Sequence, residues 1–153
     1  MEISELLKPE AVISGLKASS KKQVLQELAR HAAQITGVPD KKIFETLLER
    51  ERLGSTGVGN GIAIPHGRLG DFKRLYGVFA RLEKPIDFAS IDEQPVDLIF
   101  LLLAPEGAGA DHLKALARVS RLLRDARTCE KLRGAESADG LYMLLIQSEA
   151  QAA

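Results

Sequence analysis

The chain has 153 residues, 45% of them hydrophobic and 27% charged, and its 21 Lys and Arg balance 21 Asp and Glu to a formal net charge of zero. This length suits one domain over residues 1–153, which buries enough surface to fold without disulfides or a structural metal. The balanced charge argues against nucleic acid as a partner, because nucleic-acid-binding domains carry a basic excess, and the single cysteine, Cys129, excludes an internal disulfide and a cysteine-rich zinc site.

The first third of the chain predicts two helices and then a glycine-rich stretch. Residues 19–36 carry apolar side chains at helical spacing, and a second helix begins with Asp40 as its N-cap and ends at Gly54. Five of the 13 glycines fall between residues 54 and 67, around a short strand predicted over residues 62–64. This stretch therefore favours turns and close backbone approaches.

The rest of the chain mixes strands with helices. Partial alternation predicts a strand over residues 76–82, and the almost continuous apolar run 96–104 is typical of a strand covered on both faces. Asp111 is the expected N-cap of the next helix. Three helices are predicted, over residues 111–124, 126–132 and 137–147. This order of elements indicates an α/β layered domain.

No segment of the sequence predicts export or membrane insertion. The N-terminus has neither a basic start nor an apolar core, so it does not resemble a signal peptide. The longest apolar run, residues 98–104, is far shorter than the roughly 20 residues that cross a membrane. We therefore expect a cytoplasmic protein without membrane insertion, with a frayed tail at residues 149–153.

Three histidines differ in their surroundings. His31 lies inside the first long helix without a partner at metal-ligand spacing, which is typical of a helix-surface residue. His66 follows Pro65 at a strand end and precedes Gly67, so a rigid frame orients it and leaves it open to a partner. Its imidazole is largely neutral and nucleophilic at pH 7. His112 opens the helix after the covered strand, where it either approaches His66 or is an ordinary first-turn residue.

The glycine-rich turn does not match a nucleotide-binding loop. The dinucleotide pattern requires glycine where Ile62 stands, and the segment before the turn is predicted as helix rather than strand. The turn nevertheless offers free backbone N–H groups around Gly59 and Gly61, with the hydroxyls of Ser55 and Thr56 close by. Such a turn can hold a phosphoryl group.

Hydrolase and metal chemistry have weaker support. The sequence contains neither G-x-S-x-G nor H-E-x-x-H, and Cys129 has no histidine near it in sequence. We interpret Cys129 as structural. A metal-dependent hydrolase built on His66 and His112 lacks a third ligand at a recognisable spacing, so we expect no metal site.

Residues 50–69, RERLGSTGVGNGIAIPHGRL, closely resemble the active-site region of the enzyme IIA proteins of the bacterial phosphoenolpyruvate-dependent phosphotransferase system. The class is the fructose–mannitol one, and the run GSTGVGNGIAIPHG is most like its nitrogen-regulatory branch. The downstream DHLKALARVSRLL, the length and the order of elements extend the likeness over nearly the whole chain. The resemblance implies a single α/β domain with a central mixed β-sheet flanked by helices.

The resemblance also implies the roles of three residues. His66 would accept the phosphoryl group as a phosphohistidine, Arg50 would favour the negative charge of that group, and His112 matches the family's second active-site histidine. Phosphoryl transfer asks a protein mainly for positioning and charge stabilisation. The scheme therefore needs no metal and no cofactor.

The implied phosphoryl donor is the histidine-containing phosphocarrier protein, or its nitrogen-branch paralogue. Transfer between two proteins requires His66 at the surface, beside an apolar rim that docks transiently. We consider Leu69, Phe72 and Leu75 as candidates for that rim, with the alternative that they are ordinary core or loop residues.

Three functions remain open at this point. In the nitrogen-regulatory reading, phosphorylated and unphosphorylated forms bind different regulatory or transport proteins and report nitrogen, carbon or potassium status. In the sugar-transport reading, the protein passes its phosphoryl group to a separate fructose-type IIB. In the third, the chain is a binding module that keeps the fold without phosphotransfer, against which the intact His66, Arg50 and His112 argue.

Overall fold

The structure, a computed structural model, describes residues 2–152, with side chains described to residue 148. Its strands are β1 (Val12–Leu16), β2 (Gly57–Gly59), β3 (Ile62–Ala63), β4 (His66–Arg68), β5 (Tyr76–Ile86) and β6 (Val96–Ala104). Its helices are α1 (Ile3–Leu6), α2 (Lys21–Thr36), α3 (Asp40–Arg52), α4 (Ala110–Arg124), α5 (Ala126–Gly134) and α6 (Ala138–Ala152). Short 3₁₀ turns span Pro9–Ala11 and Glu106–Ala108.

The six strands form one mixed sheet in the order β1-β5-β6-β3-β2, with β4 also paired to β6. Strands β5 and β6 are antiparallel, while β1 runs parallel to β5, and β3 and β4 run parallel to β6. Ile62 pairs with Leu98 and His66 with Leu102, so β3 and β4 follow one another along the same edge of β6. The break between them falls at Pro65, whose carbonyl still accepts a hydrogen bond from Leu102 N at 3.0 Å.

The core lies around β6, where residues 98–104 are all buried. A strand of this kind has to be covered on both faces, and the helices supply that cover in two contacting groups, α2 with α3 and α4 with α5 and α6. Helix α3 contacts β4 and helix α4 contacts β6. This arrangement brings the end of α3 and the start of α4 to the same edge of the sheet as His66.

The predicted helices are present, with two corrections at their starts. Helix α2 begins after Ser20, whose hydroxyl accepts from Gln23 N, and ends at Gly37 in the left-handed conformation at φ 79°. The N-cap predictions for Asp40 and Asp111 were wrong, because both residues already lie in the first turns of α3 and α4. A carboxylate there still favours the helix electrostatically, since it faces the positive end of the helix dipole.

Most of the shorter elements were missed, although the short strand β3 was predicted. Helix α1 and strands β1, β2 and β4 were not predicted, and β5 continues past residue 82 to Ile86. Strand β1 contains Gly15 at φ 75°, and its register shifts there, so it lacks the alternation that reveals a strand. The predicted frayed tail at 149–153 falls outside the residues whose side chains are described. No helix of the described chain is long and apolar enough to cross a membrane.

Candidate active site

His66 is the first residue of β4, and close packing of α3 against this strand fixes its surroundings. The next residue, Gly67, is buried, and a Cβ atom there would lie 2.8 Å from Cγ2 of Thr46 on α3. A glycine therefore lets the helix approach the strand more closely than any other residue would. The approach places Arg50, in the last turn of α3, against the His66 ring.

The hydrogen bonds of His66 define which ring nitrogen carries the proton. Nδ1 lies 2.9 Å from the carbonyl oxygen of Ile64, which can only accept, and Nε2 lies 3.3 Å from Nε of Arg50, which can only donate. Both contacts require a neutral ring with the proton on Nδ1. The lone pair of Nε2 is therefore the nucleophilic position of His66.

The surroundings of His66 also favour its neutral form. Burial lowers the pKa of the half-buried ring below its ordinary 6.5, and the positive charges of Arg50 and Arg68 lower it further. The hydrogen bond to Ile64 and the charge of Glu51 act in the opposite direction without reversing the shift. An imidazole that is unprotonated at neutral pH has its lone pair available for attack.

Arg50 is anchored at both ends of its guanidinium. While Nε donates to His66, Nη1 donates to the carbonyl of Gly54 at 2.8 Å. The second bond ties the side chain to the loop that follows α3. The cation is thus held beside the nucleophilic nitrogen, where a transferred phosphoryl group would place its negative oxygens.

His112 lies beside His66, as the sequence resemblance implied. The two ring centroids are 5.7 Å apart at an interplanar angle of 69°. His112 is only 4% exposed, in the first turn of α4. Its Nδ1 accepts a hydrogen bond from Nε of Arg68 at 2.8 Å, and its buried Nε2 has no partner among the described residues. Burial, Arg68 and His66, in that order, lower its pKa to about 4.

The three predicted residues share one cavity of about 700 Å³. Arginine side chains dominate its charge, since Arg50, Arg52 and Arg68 line it against a single carboxylate, Glu49. Two apolar side chains stand at its mouth: Leu53 is 86% exposed and Leu113 64% exposed. The remaining lining residues are Thr46, His66, Gly67, His112 and Leu116.

The residues predicted to support a phosphate from the glycine-rich turn do not line this cavity. Ser55 Oγ donates to the carbonyl of Phe88 at 2.7 Å and accepts from Gly57 N at 3.1 Å. Thr56 donates to Glu51 from both its backbone N–H and its hydroxyl. These hydroxyls therefore fasten the loop after α3 to its neighbours.

The two glycines of that prediction lie further along the chain, Gly59 at the end of β2 and Gly61 in the turn before β3. Gly59 lines a separate cavity with Ile64, and Gly61 faces Arg133, which pairs with Asp97 at 2.9 Å. Positive φ angles of 101° and 81° explain why glycine stands at both positions.

Glu51 explains how the loop after α3 is held. It is a buried carboxylate that accepts the two bonds from Thr56 and pairs with Lys21 Nζ at 2.9 Å. The same ammonium lies 4.7 Å from the ring centroid of Phe88. This network holds the loop whose Gly54 carbonyl accepts the hydrogen bond from Arg50.

For two of the three candidate rim residues, the alternative of an ordinary core residue is the correct one. Phe72 and Leu75 are buried in the core, and Leu69 is partly buried and packs against it. The exposed apolar residues beside His66 are instead Leu53 and Leu113. The sequence left both alternatives open because a short apolar run is equally typical of a core and of a docking surface.

Sequence reasoning also missed Arg68. Residues at i and i+2 of a strand point to the same face, so Arg68 was the natural neighbour of His66 on that side. Arg68 was missed because the sequence did not predict a strand at residues 66–68. Alternation along β4 places Arg68 on the face of His66, but it could be applied only once that strand was known.

The other candidates lie away from the cavity. Cys129 is buried, its Sγ donates to the carbonyl of Leu123 at 3.1 Å, and burial raises the pKa of its thiol. His31 is half-buried on α2. Among the described residues, no group of three or more His, Cys, Asp or Glu side chains could hold a metal ion.

Comparisons with known proteins point in one direction. The model of a family described as "Phosphoenolpyruvate-dependent sugar phosphotransferase system, EIIA 2" matches residues 5–148. A nitrogen regulatory protein of Bradyrhizobium diazoefficiens is 58% identical over 153 residues, 100% of each chain. A fructose-specific EIIABC component of Bacillus subtilis is 33% identical over 150 residues, 97% of this chain and 24% of that protein.

A solved structure shows the same fold. The crystal structure of the nitrogen regulatory protein IIA-Ntr from Neisseria meningitidis superposes with a TM-score of 0.89 at 35% identity, covering 94% of this chain and 98% of that one. The predicted fold class, a central mixed sheet flanked by helices, is thereby confirmed.

Proposed function

The chain belongs to the EIIA 2 family of the phosphoenolpyruvate-dependent sugar phosphotransferase system, and on this premise we propose that it accepts a phosphoryl group on Nε2 of His66. The family transfers phosphoryl groups through a histidine. The observation that carries the assignment to this nitrogen is the pair of bonds that leaves Nδ1 with the proton and Nε2 with the lone pair.

The transfer exchanges one P–N bond for another. The lone pair of His66 Nε2 forms a bond to phosphorus while the P–N bond to the donor's imidazole breaks, and the electron pair of that bond returns to the donor's ring. Nδ1 of His66 keeps its proton throughout. The positive charge that develops on the His66 ring is stabilised by the Ile64 carbonyl, which accepts from Nδ1 at 2.9 Å.

Two groups stabilise the negative oxygens in this scheme. Arg50 turns its guanidinium from the Nε2 lone pair to the phosphoryl oxygens, keeping its hold on Gly54 through Nη1. His112 offers the buried N–H at Nε2, which has no partner among the described residues and lies on a ring 5.7 Å from His66. Preorganised donors of this kind act most strongly in a partly water-excluded site.

The donor is, in this proposal, a histidine-containing phosphocarrier protein, with the nitrogen-branch paralogue as the preferred one. Leu53 and Leu113 supply exposed apolar surface at the cavity, and the arginines that line the same cavity supply charge. Contacts that combine a small apolar centre with a charged rim suit short-lived complexes between proteins.

The downstream role that we propose is regulatory. Phosphorylation adds negative charge beside Arg50, Arg52 and Arg68, so it changes the electrostatic complementarity of the surface that docks partners. Regulatory or transport proteins that bind this face would therefore distinguish the two forms and read nitrogen, carbon or potassium status. Identity of 58% with a nitrogen regulatory protein over the full length of both chains supports this branch.

The sugar-transport alternative rests on the weaker likeness to the fructose-specific component, at 33% identity. It predicts that the phosphorylated protein passes its group to a fructose-type IIB. Incubating the two proteins and following the phosphoryl group by mass separates the branches, since transfer at the rate of a sugar-specific IIA would favour transport.

Intact-mass spectrometry in mild alkali tests the phosphoryl-carrier proposal. The protein is incubated with phosphoenolpyruvate, enzyme I and the phosphocarrier protein, beside a IIA protein of known activity. We expect one acid-labile phosphoryl group that is missing in His66→Ala. No mass gain while the parallel IIA is phosphorylated would favour the third alternative, a binding module without phosphotransfer.

A further inference from the structure

We propose that Arg68 is a positioning residue that sets the tautomer and orientation of His112, so that the Nε2–H of His112 points to the phosphoryl group on His66. This inference rests on the function proposed above. It assigns to Arg68 a part in the reaction that acts through His112 rather than on the phosphoryl group itself.

The hydrogen bond between the two residues carries the inference. Nε of Arg68 lies 2.8 Å from Nδ1 of His112. A guanidinium N–H donates and never accepts, so Nδ1 must hold a lone pair, and the proton of the neutral ring must lie on Nε2. Turning the ring over would replace this bond with a contact between the guanidinium and a ring carbon. The bond therefore fixes the tautomer and the orientation together.

The second ring nitrogen of His112 is left as a donor that is available to a ligand. Nε2 of His112 is buried and has no partner among the described residues. A buried N–H without a partner costs about 1–3 kcal/mol, so it is a candidate for a group that arrives only during function. His112 lies in the cavity that His66 and Arg50 also line. A phosphoryl oxygen on His66 is the acceptor that fits this donor.

Arg68 is suited to this task by its position. It is the last residue of β4, two residues after His66 on the same face, and is held by pairing with Ala104 of β6. Its side chain is exposed, so substitutions there disturb the core little. Arg52 lines the same cavity with the same charge but has no hydrogen bond to His112. It is therefore the matched control.

The first test reads the tautomer directly by ¹H–¹⁵N correlation of the histidine rings in the unphosphorylated protein. We expect His112 to show an unprotonated Nδ1 and a protonated Nε2 at pH 7. In Arg68→Met both nitrogen shifts should move towards exchange-averaged values, and in Arg52→Met they should stay as in the unsubstituted protein. Unchanged His112 shifts in Arg68→Met would overturn the proposal. This test needs no phosphorylation, so it stands apart from failure of the phosphoryl-carrier function.

The second test is a double-mutant cycle on the rate of phosphorylation by the phosphocarrier protein. Arg68→Met should slow transfer about tenfold when His112 is present, the size of one lost hydrogen bond between a charged and a neutral group. In a His112→Ala background the same substitution should change the rate less than twofold. An equal slowing in both backgrounds would mean that Arg68 acts on the phosphoryl group itself, which would overturn the positioning role.

Discussion

The two histidines of the site make opposite hydrogen bonds. His66 lies at the start of a strand, whereas His112 lies in the first turn of a helix. Each ring accepts a hydrogen bond from an arginine Nε, but Arg50 occupies Nε2 of His66, whereas Arg68 occupies Nδ1 of His112. The remaining nitrogen of His66 donates to a carbonyl, and that of His112 has no partner among the described residues. One ring is thereby prepared as a nucleophile and the other as a donor.

The difference shows that the hydrogen-bond partners of a histidine ring decide which of its nitrogens carries the proton and which carries the lone pair. Both rings are kept neutral, since burial is the first cause of the lowered pKa in each. The two rings differ in which nitrogen faces an arginine: it is Nε2 in His66 and Nδ1 in His112.

The largest expected effect is the loss of the nucleophile. His66→Ala should abolish phosphorylation, because no other described side chain places a lone pair beside Arg50. Intact mass after incubation with the donor system measures it. His31→Ala is the control, since His31 lies on α2 away from the cavity, and it should be phosphorylated normally. Normal phosphorylation of His66→Ala would remove the basis of the comparison.

Removing the charged donor comes next. Arg50→Ala should slow transfer by about 10³, at the upper end for one lost stabilising donor, because a bond from a cation is about twice as strong as a neutral one. Rapid-quench kinetics with the phosphorylated donor measure the rate. A slowing of tenfold or less would show that Arg50 only donates a hydrogen bond to the unphosphorylated His66 ring and does not stabilise the phosphoryl group.

Removing His112, the neutral donor, should slow the transfer less than removing Arg50 does. His112→Ala should slow transfer by about 10², since the lost N–H carries no full charge. His112→Gln, whose amide still carries N–H donors, should recover part of that loss. If the His112 variants transferred at the rate of the unsubstituted protein, His112 would be a neighbour of the site without a part in it.

The low pKa of His112 predicts a loss of stability in acid. The folded state holds this ring neutral down to pH about 4, whereas the unfolded chain binds the proton near 6.5, so stability falls as pH drops through that window. Across the whole window, the free energy of unfolding falls by about 3 kcal/mol. Urea unfolding at pH 7 and pH 4.5 should show a smaller loss for His112→Gln than for the unsubstituted protein. Equal losses of unfolding free energy in His112→Gln and in the unsubstituted protein would contradict this prediction.

The smallest effect concerns the packing that brings α3 to His66. Gly67→Ala should lower the free energy of unfolding by about 1–2 kcal/mol, because its Cβ meets Thr46 Cγ2 at 2.8 Å. Adding Thr46→Ser, which removes that methyl, should restore much of the loss. The His112 ring shifts should stay unchanged, since Arg68 and His112 do not depend on this contact. No recovery in the double variant would place the strain elsewhere.

Much of the fold was predictable from the sequence, because its long elements carry strong patterns. The apolar run of β6 and the helical spacing of α2 and α3 predicted those elements within a few residues. Strands β2 and β4 span three residues each, too few for a period to appear. Strand β4 pairs with β6, and β2 pairs with β3, which in turn pairs with β6, so both depend on a distant strand that no local pattern reveals.

The site was only partly predictable. A close family resemblance pointed to His66, Arg50 and His112, and the structure brings all three to one cavity. The roles of Ser55 and Thr56 depend on partners from other elements, Phe88 and Glu51, which the local sequence does not indicate. Composition suggested a phosphate-holding turn there, whereas tertiary contacts use the hydroxyls to fasten a loop.

The edges of the sheet bear on whether copies of the protein can pair with one another. Its most apolar strand, β6, lies between neighbours, while the outer strands are short: β2 and β4 have three residues each, and β1 is interrupted by a register shift at Gly15. Exposed strand edges are where copies of a protein pair and aggregate, and short or irregular edges prevent it. A carrier that repeatedly meets other proteins therefore offers them side chains to recognise and few backbone groups on which a second sheet could grow.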